Sequence, residues 1–174
     1  SSCIFLPMKH VVILSAFLSP FRSGAEACAE EVPLALGNEF DFVIITAKLR
    51  RDLPRTDMLR ERIPVIRVGL GLPVDKWLYP FLAPLAARKQ KPDVIHAVLE
   101  TFAGLALRFC GRIPAQRILT CQTLNRSFLK AMIVRSPDVV TVISTALLDT
   151  VKAAGRDNAV HIPNGVPLAA IRDA

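Results

Sequence analysis

Seven short apolar runs, each about one strand long, recur along this chain with helix-forming stretches between them, and that alternation leaves few ways to fold. The runs are Val11 to Leu14, Phe42 to Thr46, Pro64 to Val68, Val94 to Val98, Arg117 to Cys121, Val139 to Ile143 and Val160 to Ile162. Between them, Gly24 to Leu36, Lys76 to Lys89, Thr101 to Cys110, Leu124 to Val134 and Thr145 to Ala154 carry the spacing and composition of helices. Strand and helix in alternation predict the α/β class: a doubly wound, mostly parallel, Rossmann-like sheet of about seven strands with helices on both faces. Runs that are apolar at nearly every position need cover on both sides. The 52% hydrophobic content of the 174 residues and the mean hydropathy of +0.39 fit that demand. No run approaches the ~18 residues of a membrane span, so the apolar content predicts one sizeable buried core.

Breakers mark the elements. Pro33, Pro80 and Pro84 fall inside proposed helices, which are therefore expected to be kinked or shorter than drawn. Ser144 and Thr101 are N-cap candidates, and Gly155 suits the end of the helix that follows Ser144. Lys48 to Arg62, with Lys48, Arg50, Arg51, Arg55, Arg60 and Arg62 among a few acids, reads as a solvated loop. Met8-Lys9, then Val11 to Leu18 and Gly24-Ala25-Glu26-Ala27, has the outline of a short signal peptide and reads equally as a first strand with its loop.

Lys and Arg outnumber Asp and Glu by 22 to 15, a net charge of +7 that favours anionic partners: phosphorylated ligands, acidic headgroups or nucleic acid. Nine Phe, one Trp and one Tyr without basic-aromatic interleaving weigh against nucleic acid. Cys3, Cys28, Cys110 and Cys121 form neither a C-x-x-C pair nor a regular spacing, and read as reduced core thiols of a cytoplasmic protein. His10, His96 and His161 are scattered and there is no D-x-D, so no metal site and no resident cofactor are expected. Both common nucleotide loops, G-x-G-x-x-G and G-x-x-x-x-G-K-[ST], are absent as written. Asn125-Arg126-Ser127 is formally a glycosylation sequon, read here as chance.

In open parallel sheets, ligands bind beyond the carboxyl ends of the strands. That rule selects Ser19 to Glu26, Thr46 to Lys48, His96 to Glu100, Gln122 to Asn125, Ser144 and Asn164-Gly165. In the first of these, Gly24 opens a helix, where free N–H groups and the helix dipole can meet a phosphate.

Taken in order, Ser23-Gly24-Ala25-Glu26, Val43-Ile44-Ile45-Thr46, Pro92-Asp93-Val94-Ile95-His96-Ala97, Thr120-Cys121-Gln122, Ser136 to Ser144 and Ile162-Pro163-Asn164-Gly165-Val166 resemble the N-terminal, acceptor-side domain of GT-B glycosyltransferases, specifically the large retaining family four. The resemblance implies that residues 8–166 form this acceptor-binding domain. Residues 1–7 would then be a lead and 167–174 the start of a linker to a C-terminal donor domain outside this chain. It further implies a UDP- or GDP-sugar co-substrate and a carbohydrate or lipid-linked acceptor in envelope polysaccharide, glycolipid or similar assembly. By the same resemblance Ser23 and Gly24 approach the donor diphosphate, Gln122 is the catalytic-site residue near the transferred sugar, His96, Glu100 and Asn125 serve the acceptor, and Asn164 and Gly165 form the interdomain hinge. The domain alone is expected to be inactive. A peripheral contact with the anionic inner face of the plasma membrane is assigned to Lys48 to Arg62 or to the Leu124 to Arg135 helix with Arg126, Lys130 and Arg135.

Several positions depart from the family pattern. Ser23 replaces a glycine, Gln122 replaces the histidine of T-x-H, Val98 stands where H-x-H has its second histidine, and Pro167 follows N-G-V in place of aspartate. Glutamine can hydrogen-bond a sugar hydroxyl but cannot share a proton near neutral pH as imidazole does. Each site residue also has a structural reading: His96 as a satisfied core histidine, Gln122 as a cap, Gly24 as a tight-turn residue, Asn164-Gly165 as a turn dipeptide. The second function read from these residues is a stand-alone binding module for an anionic ligand or a protein partner, without catalysis.

Overall fold

The computed structural model describes residues 8–21, 23–24, 26–124 and 128–164. In chain order they form β1 (His10–Leu14), α1 (Ala27–Leu36), β2 (Asp41–Ala47), β3 (Thr56–Leu59), β4 (Ile63–Val68), α2 (Asp75–Gln90), β5 (Val94–Val98), α3 (Phe102–Phe109), β6 (Gln116–Cys121), α4 (Phe128–Arg135), β7 (Val139–Val142), α5 (Thr145–Ala153) and β8 (Val160–His161). The sheet runs β3-β4-β2-β1-β5-β6-β7-β8. Every pair is parallel except β3 with β4. From β1 the chain builds outward through β2 to β4 on one side, then returns to β5 on the other, so the strand order reverses between β1 and β5.

Right-handed crossovers in opposite directions put helices on opposite faces. One buried cluster packs Leu14, Ile95, Leu119 and Val140 against Tyr79, Leu107 and Val134, residues of α2, α3 and α4. The other sets Val11, Ile13 and Ile44 against Ala29 of α1. The doubly wound α/β sheet expected from the alternation is the fold observed. The two faces are unequal, however. In β5, β6 and β7 the buried positions Ile95 and Ala97, Leu119 and Cys121, and Val140 and Val142 alternate with His96, Thr120 and Thr141, which point to the α1 side. These strands are less uniformly apolar than the runs suggest.

Three local expectations change. The charged stretch read as a solvated loop contains β3, an edge strand held by Asp57 Oδ2 to Arg67 Nη1 at 2.9 Å, the arginine buried and the aspartate exposed. It returns to β4 through Arg60, Glu61 and Arg62, the first two at positive φ (46° and 56°) and the third donating its N–H to Leu59 O at 3.1 Å. Two consecutive positive φ values are the geometry of a type I′ hairpin turn, normally signalled by Asn-Gly. Secondly, α2 keeps both Pro80 and Pro84 inside its 16 residues and is not shortened. Tertiary packing outweighs the lost N–H groups: Tyr79 is fully buried and donates its hydroxyl to Ile45 O at 2.7 Å, and Pro80, Ala83 and Ala87 are buried beside it. Thirdly, α1 begins at Ala27, three residues later than drawn. Ser144 and Thr101 do occupy N-cap positions, but neither side chain makes the capping bond. Gly155, at φ 88°, closes α5 by donating its N–H to Lys152 O, with Arg156 N–H on Val151 O.

Candidate functional site

The reversal between β1 and β5 opens a crevice at their carboxyl ends, the position where doubly wound sheets bind ligands. Three loops border it: 15–26 after β1, 99–101 after β5 and 122–124 after β6.

The first loop is folded by two buried glutamates. Glu30 accepts from Ser19 N–H at 2.9 Å, and Glu26 accepts from both the N–H (2.9 Å) and the hydroxyl of Ser23. Both contacts close the loop ahead of α1, whose N-cap position is Glu26 itself and carries no side-chain capping bond. Ser23 is thus already engaged. Gly24 is exposed, and nothing lies within 4 Å of where its Cβ would be, so packing does not demand the glycine and the space above it is open.

Glu100, at the end of β5, is buried and holds the loop after β6. Its carboxylate accepts from Gln122 N–H (2.8 Å), Thr123 N–H (3.0 Å) and the Thr123 hydroxyl (2.7 Å). Lys130 of α4 completes the cluster, donating to Glu100 Oε1 at 3.1 Å and to Thr123 O at 2.6 Å. Glu100 is therefore a scaffold for the Gln122 loop, a role its acceptor assignment did not anticipate. Lys130 is 4% exposed, which removes it from the membrane-facing set proposed for α4. The residues 30 positions apart carry no local spacing signal, so their pairing was not legible beforehand.

With its backbone held, Gln122 turns its side chain toward α1. Burial raises the Cys28 thiol pKa, and the Gln122 amide partly offsets it. Gln122 Nε2 is nonetheless buried and reaches no acceptor at hydrogen-bond distance. A buried donor without a partner costs about 1–3 kcal/mol, and Nε2 is one that a polar ligand would satisfy.

His96 lies mid-strand in β5, below the edge. Its Nε2 is 2.7 Å from Thr120 Oγ1, which in turn is 2.8 Å from Thr141 Oγ1. Burial lowers its pKa from 6.5 to about 4, so the ring is neutral at pH 7. This satisfied histidine fits its structural reading. Leu99, the first residue past β5, sits at φ 80°, a left-handed conformation uncommon for a leucine. Such strain concentrates at functional sites, and no sequence signal announced it. Asn164 is exposed beyond β8, separated from β5 by β6 and β7. Asn125, Gly165, Arg22 and Arg126 lie outside the described residues, as do the lead 1–7, Cys3, Val166 and Pro167. The structure therefore brings Ser23, Gly24, Glu100 and Gln122 to one edge, with His96 beneath and Asn164 apart.

Among the described residues, no group of three His, Cys, Asp or Glu side chains is placed to hold a metal ion, and no helix is long and apolar enough to cross a membrane. Cys28, Cys110 and Cys121 are free thiols.

Known structures share this architecture. Sucrose-phosphate synthase from Thermosynechococcus elongatus aligns with 92% of this chain and 49% of its own, at TM-score 0.75 and 15% identity. HepE of Anabaena, solved with UDP and glucose, aligns with 92% of this chain and 46% of its own, at TM-score 0.61 and 15% identity. MurG of Acinetobacter baumannii aligns with 91% and 46%, at TM-score 0.57 and 17% identity. At such identities the likeness establishes fold. This chain spans about half the length of these structures. No curated protein sequence matches it significantly. The sequence itself matches the family description Glycosyltransferase Family 4 over residues 22–170. With the GT-B-type sheet and the loops at its carboxyl edge, that match places the chain in Glycosyltransferase Family 4 as an N-terminal domain.

Proposed function

We propose that this domain is the acceptor-binding half of a transferase that moves a sugar from a nucleotide-sugar to a carbohydrate or lipid-linked acceptor with retention of configuration. The observation that carries this reading is the unpaired, buried Nε2 of Gln122 at the carboxyl edge. Its backbone is fixed by Glu100, and the Ser23–Gly24 loop stands across the crevice. An amide donor anchored through its backbone lowers the cost of charge developing on a sugar or leaving-group oxygen when it is aimed at that oxygen. Gln122 would donate to such an oxygen, and the open space at Gly24 admits the diphosphate of the donor. Asn164 and Gly165 would form the hinge to a donor domain.

HepE is solved with UDP and glucose. UDP-glucose is accordingly the first donor to test, and GDP-mannose the second. In full-length protein, Gln122→Ala is expected to lower kcat for transfer or donor hydrolysis at least about tenfold, since one lost oxyanion donor costs ~10²–10³ where it acts directly. Gln122→His is expected to retain more activity than Gln122→Ala, and Gly24→Trp to block turnover. Wild-type rates in both Gln122→Ala and Gly24→Trp would sink the assignment.

One observation weighs against a diphosphate here and so favours a module for a protein partner: Glu26, just ahead of α1, places its carboxylate on the Ser23 donors that a diphosphate would otherwise take. Calorimetry separates the two. Glu26→Gln should tighten UDP binding if the crevice takes a diphosphate and leave it unchanged if it does not.

A further inference from the structure

On the helix-rich face, beside the Gln122–Thr123 loop, α2, α3 and α4 leave a groove of about 380 Å³, within the ~300–1,000 Å³ of small-molecule sites. Its walls are Trp77 and Phe81 of α2, Phe102 and Leu105 of α3, and Leu129 and Ile133 of α4. One end is polar: Thr101, Thr123 and the Glu100–Lys130 pair, whose opposite charges cancel. Trp77 is 62% and Phe81 60% exposed. Both rings are nevertheless held in place. Trp77 meets Phe102 edge-on at 5.1 Å, and Phe81 stacks on Phe109 at 5.3 Å. Lys76 Nζ stands 5.9 Å from the Trp77 ring centroid, a cation beside the groove.

Ordered aromatic rings exposed along a concave, uncharged groove mark a binding site for an apolar group. The polar end abuts Thr123, one residue from Gln122, so a chain lying in the groove delivers its head to the crevice. We infer that the groove binds the alkyl, acyl or isoprenyl chain of a single amphiphilic acceptor with an anionic head. This assignment depends on the transferase reading only for which end of the amphiphile reacts; binding itself does not require turnover. A groove walled by three helices fits one chain, whereas a bilayer is met by an amphipathic surface lying flat on it. Lys76, at the Trp77 wall, supplies the cation that complements an anionic head.

Trp77 is the sole tryptophan, so the protein reports on the groove without a label. The whole chain is titrated with dodecyl phosphate below its micelle concentration, with inorganic phosphate, and with phosphatidylglycerol vesicles. Dodecyl phosphate is expected to give a saturable blue shift in Trp77 emission, and inorganic phosphate none. Phe81→Asp and Leu129→Asp, on opposite walls, are each expected to raise the Kd about tenfold or more, the ~1.4 kcal/mol scale of losing one buried apolar contact. Leu85→Asp, an exposed α2 position outside the groove, should leave it within about twofold. Circular dichroism checks each variant's fold; if one wall variant unfolds, the other decides. No saturable shift, equal weakening by Leu85→Asp, or a response to vesicles without one to the monomer would overturn the assignment. Loss of transfer in Gln122→Ala leaves this titration unchanged, so the two proposals fail separately.

Discussion

His96 and Asp75 are polar residues inside a largely apolar molecule, and both make the fold sensitive to acid, in successive pH ranges. Burial holds His96 neutral, with its pKa lowered from 6.5 to about 4. Between those values the unfolded chain binds a proton that the native ring refuses, so stability rises with pH across that window. The native state carries no such penalty above pH 6.5 and loses stability as pH falls toward 4. Urea unfolding at pH 7 and at pH 4.5 should show wild type losing more stability than His96→Gln; equal losses would contradict the neutral ring. Asp75, fully buried at the start of α2, accepts N–H bonds from Leu70 (2.9 Å), Gly71 (2.6 Å) and Leu72 (3.1 Å). Burial pushes its pKa up, but those donors outweigh it and hold the carboxyl below its ordinary value. Its depressed pKa keeps its contribution intact at neutral pH, with loss only as pH falls below the usual carboxylate range. Asp75→Ala strands buried donors and should cost about 3 kcal/mol in denaturant titration. Gly69, at φ 123°, leaves room for that carboxylate, where a Cβ would collide with it.

At the level of elements, the loop after β6 depends on a charge delivered by α4. Removing Lys130 while keeping its apolar stem, as in Lys130→Met, leaves the Glu100 carboxylate buried without its cation and should cost about 3 kcal/mol. Hydrogen exchange at Gln122 and Thr123 should accelerate in that variant, because their N–H groups share the same carboxylate. Unchanged exchange would mean that Glu100 holds the loop unaided. The β3–β4 hairpin offers the opposite case, an element that can be improved. Arg60 and Glu61 both adopt positive φ without being glycine or asparagine. Replacing the pair by Asn-Gly should raise stability by about 1 kcal/mol, seen as a higher denaturation midpoint with an unchanged slope.

Across the whole molecule, thiol chemistry reports how tightly the sheet is closed. Burial pushes Cys110 and Cys121 up to about 12, Cys121 with help from Glu100, whereas Cys28 is half-buried and only raised. The thiolate is the reactive form, so among the described cysteines iodoacetamide at pH 8 should modify Cys28 before Cys110 and Cys121, which it reaches at the rate of global opening. Peptide mapping over time checks the order, and early modification of Cys121 would show that β6 opens locally. The crevice and the apolar groove lie on either side of the loop after β6, so a disturbance at Glu100 should reach both.

The sheet, its mostly parallel order and the strand ends that border the crevice were legible in the sequence, because apolar periodicity and breakers act over a few residues. Val94 to Val98 is β5 without adjustment, and Gly155 ends α5 as expected. Ser23, Gly24 and Gln122 could be named because each follows a recognisable strand. What tertiary structure alone decided are relations between distant residues or conformations with no compositional mark. The Arg60–Glu61 turn lacks the glycine that would reveal it, and α2 survives two prolines because the core holds Tyr79. The Glu100–Lys130 pair, the strain at Leu99 and the groove between α2, α3 and α4 arise from packing. Local preferences choose the elements, but burial and charge pairing across the fold determine what their side chains meet.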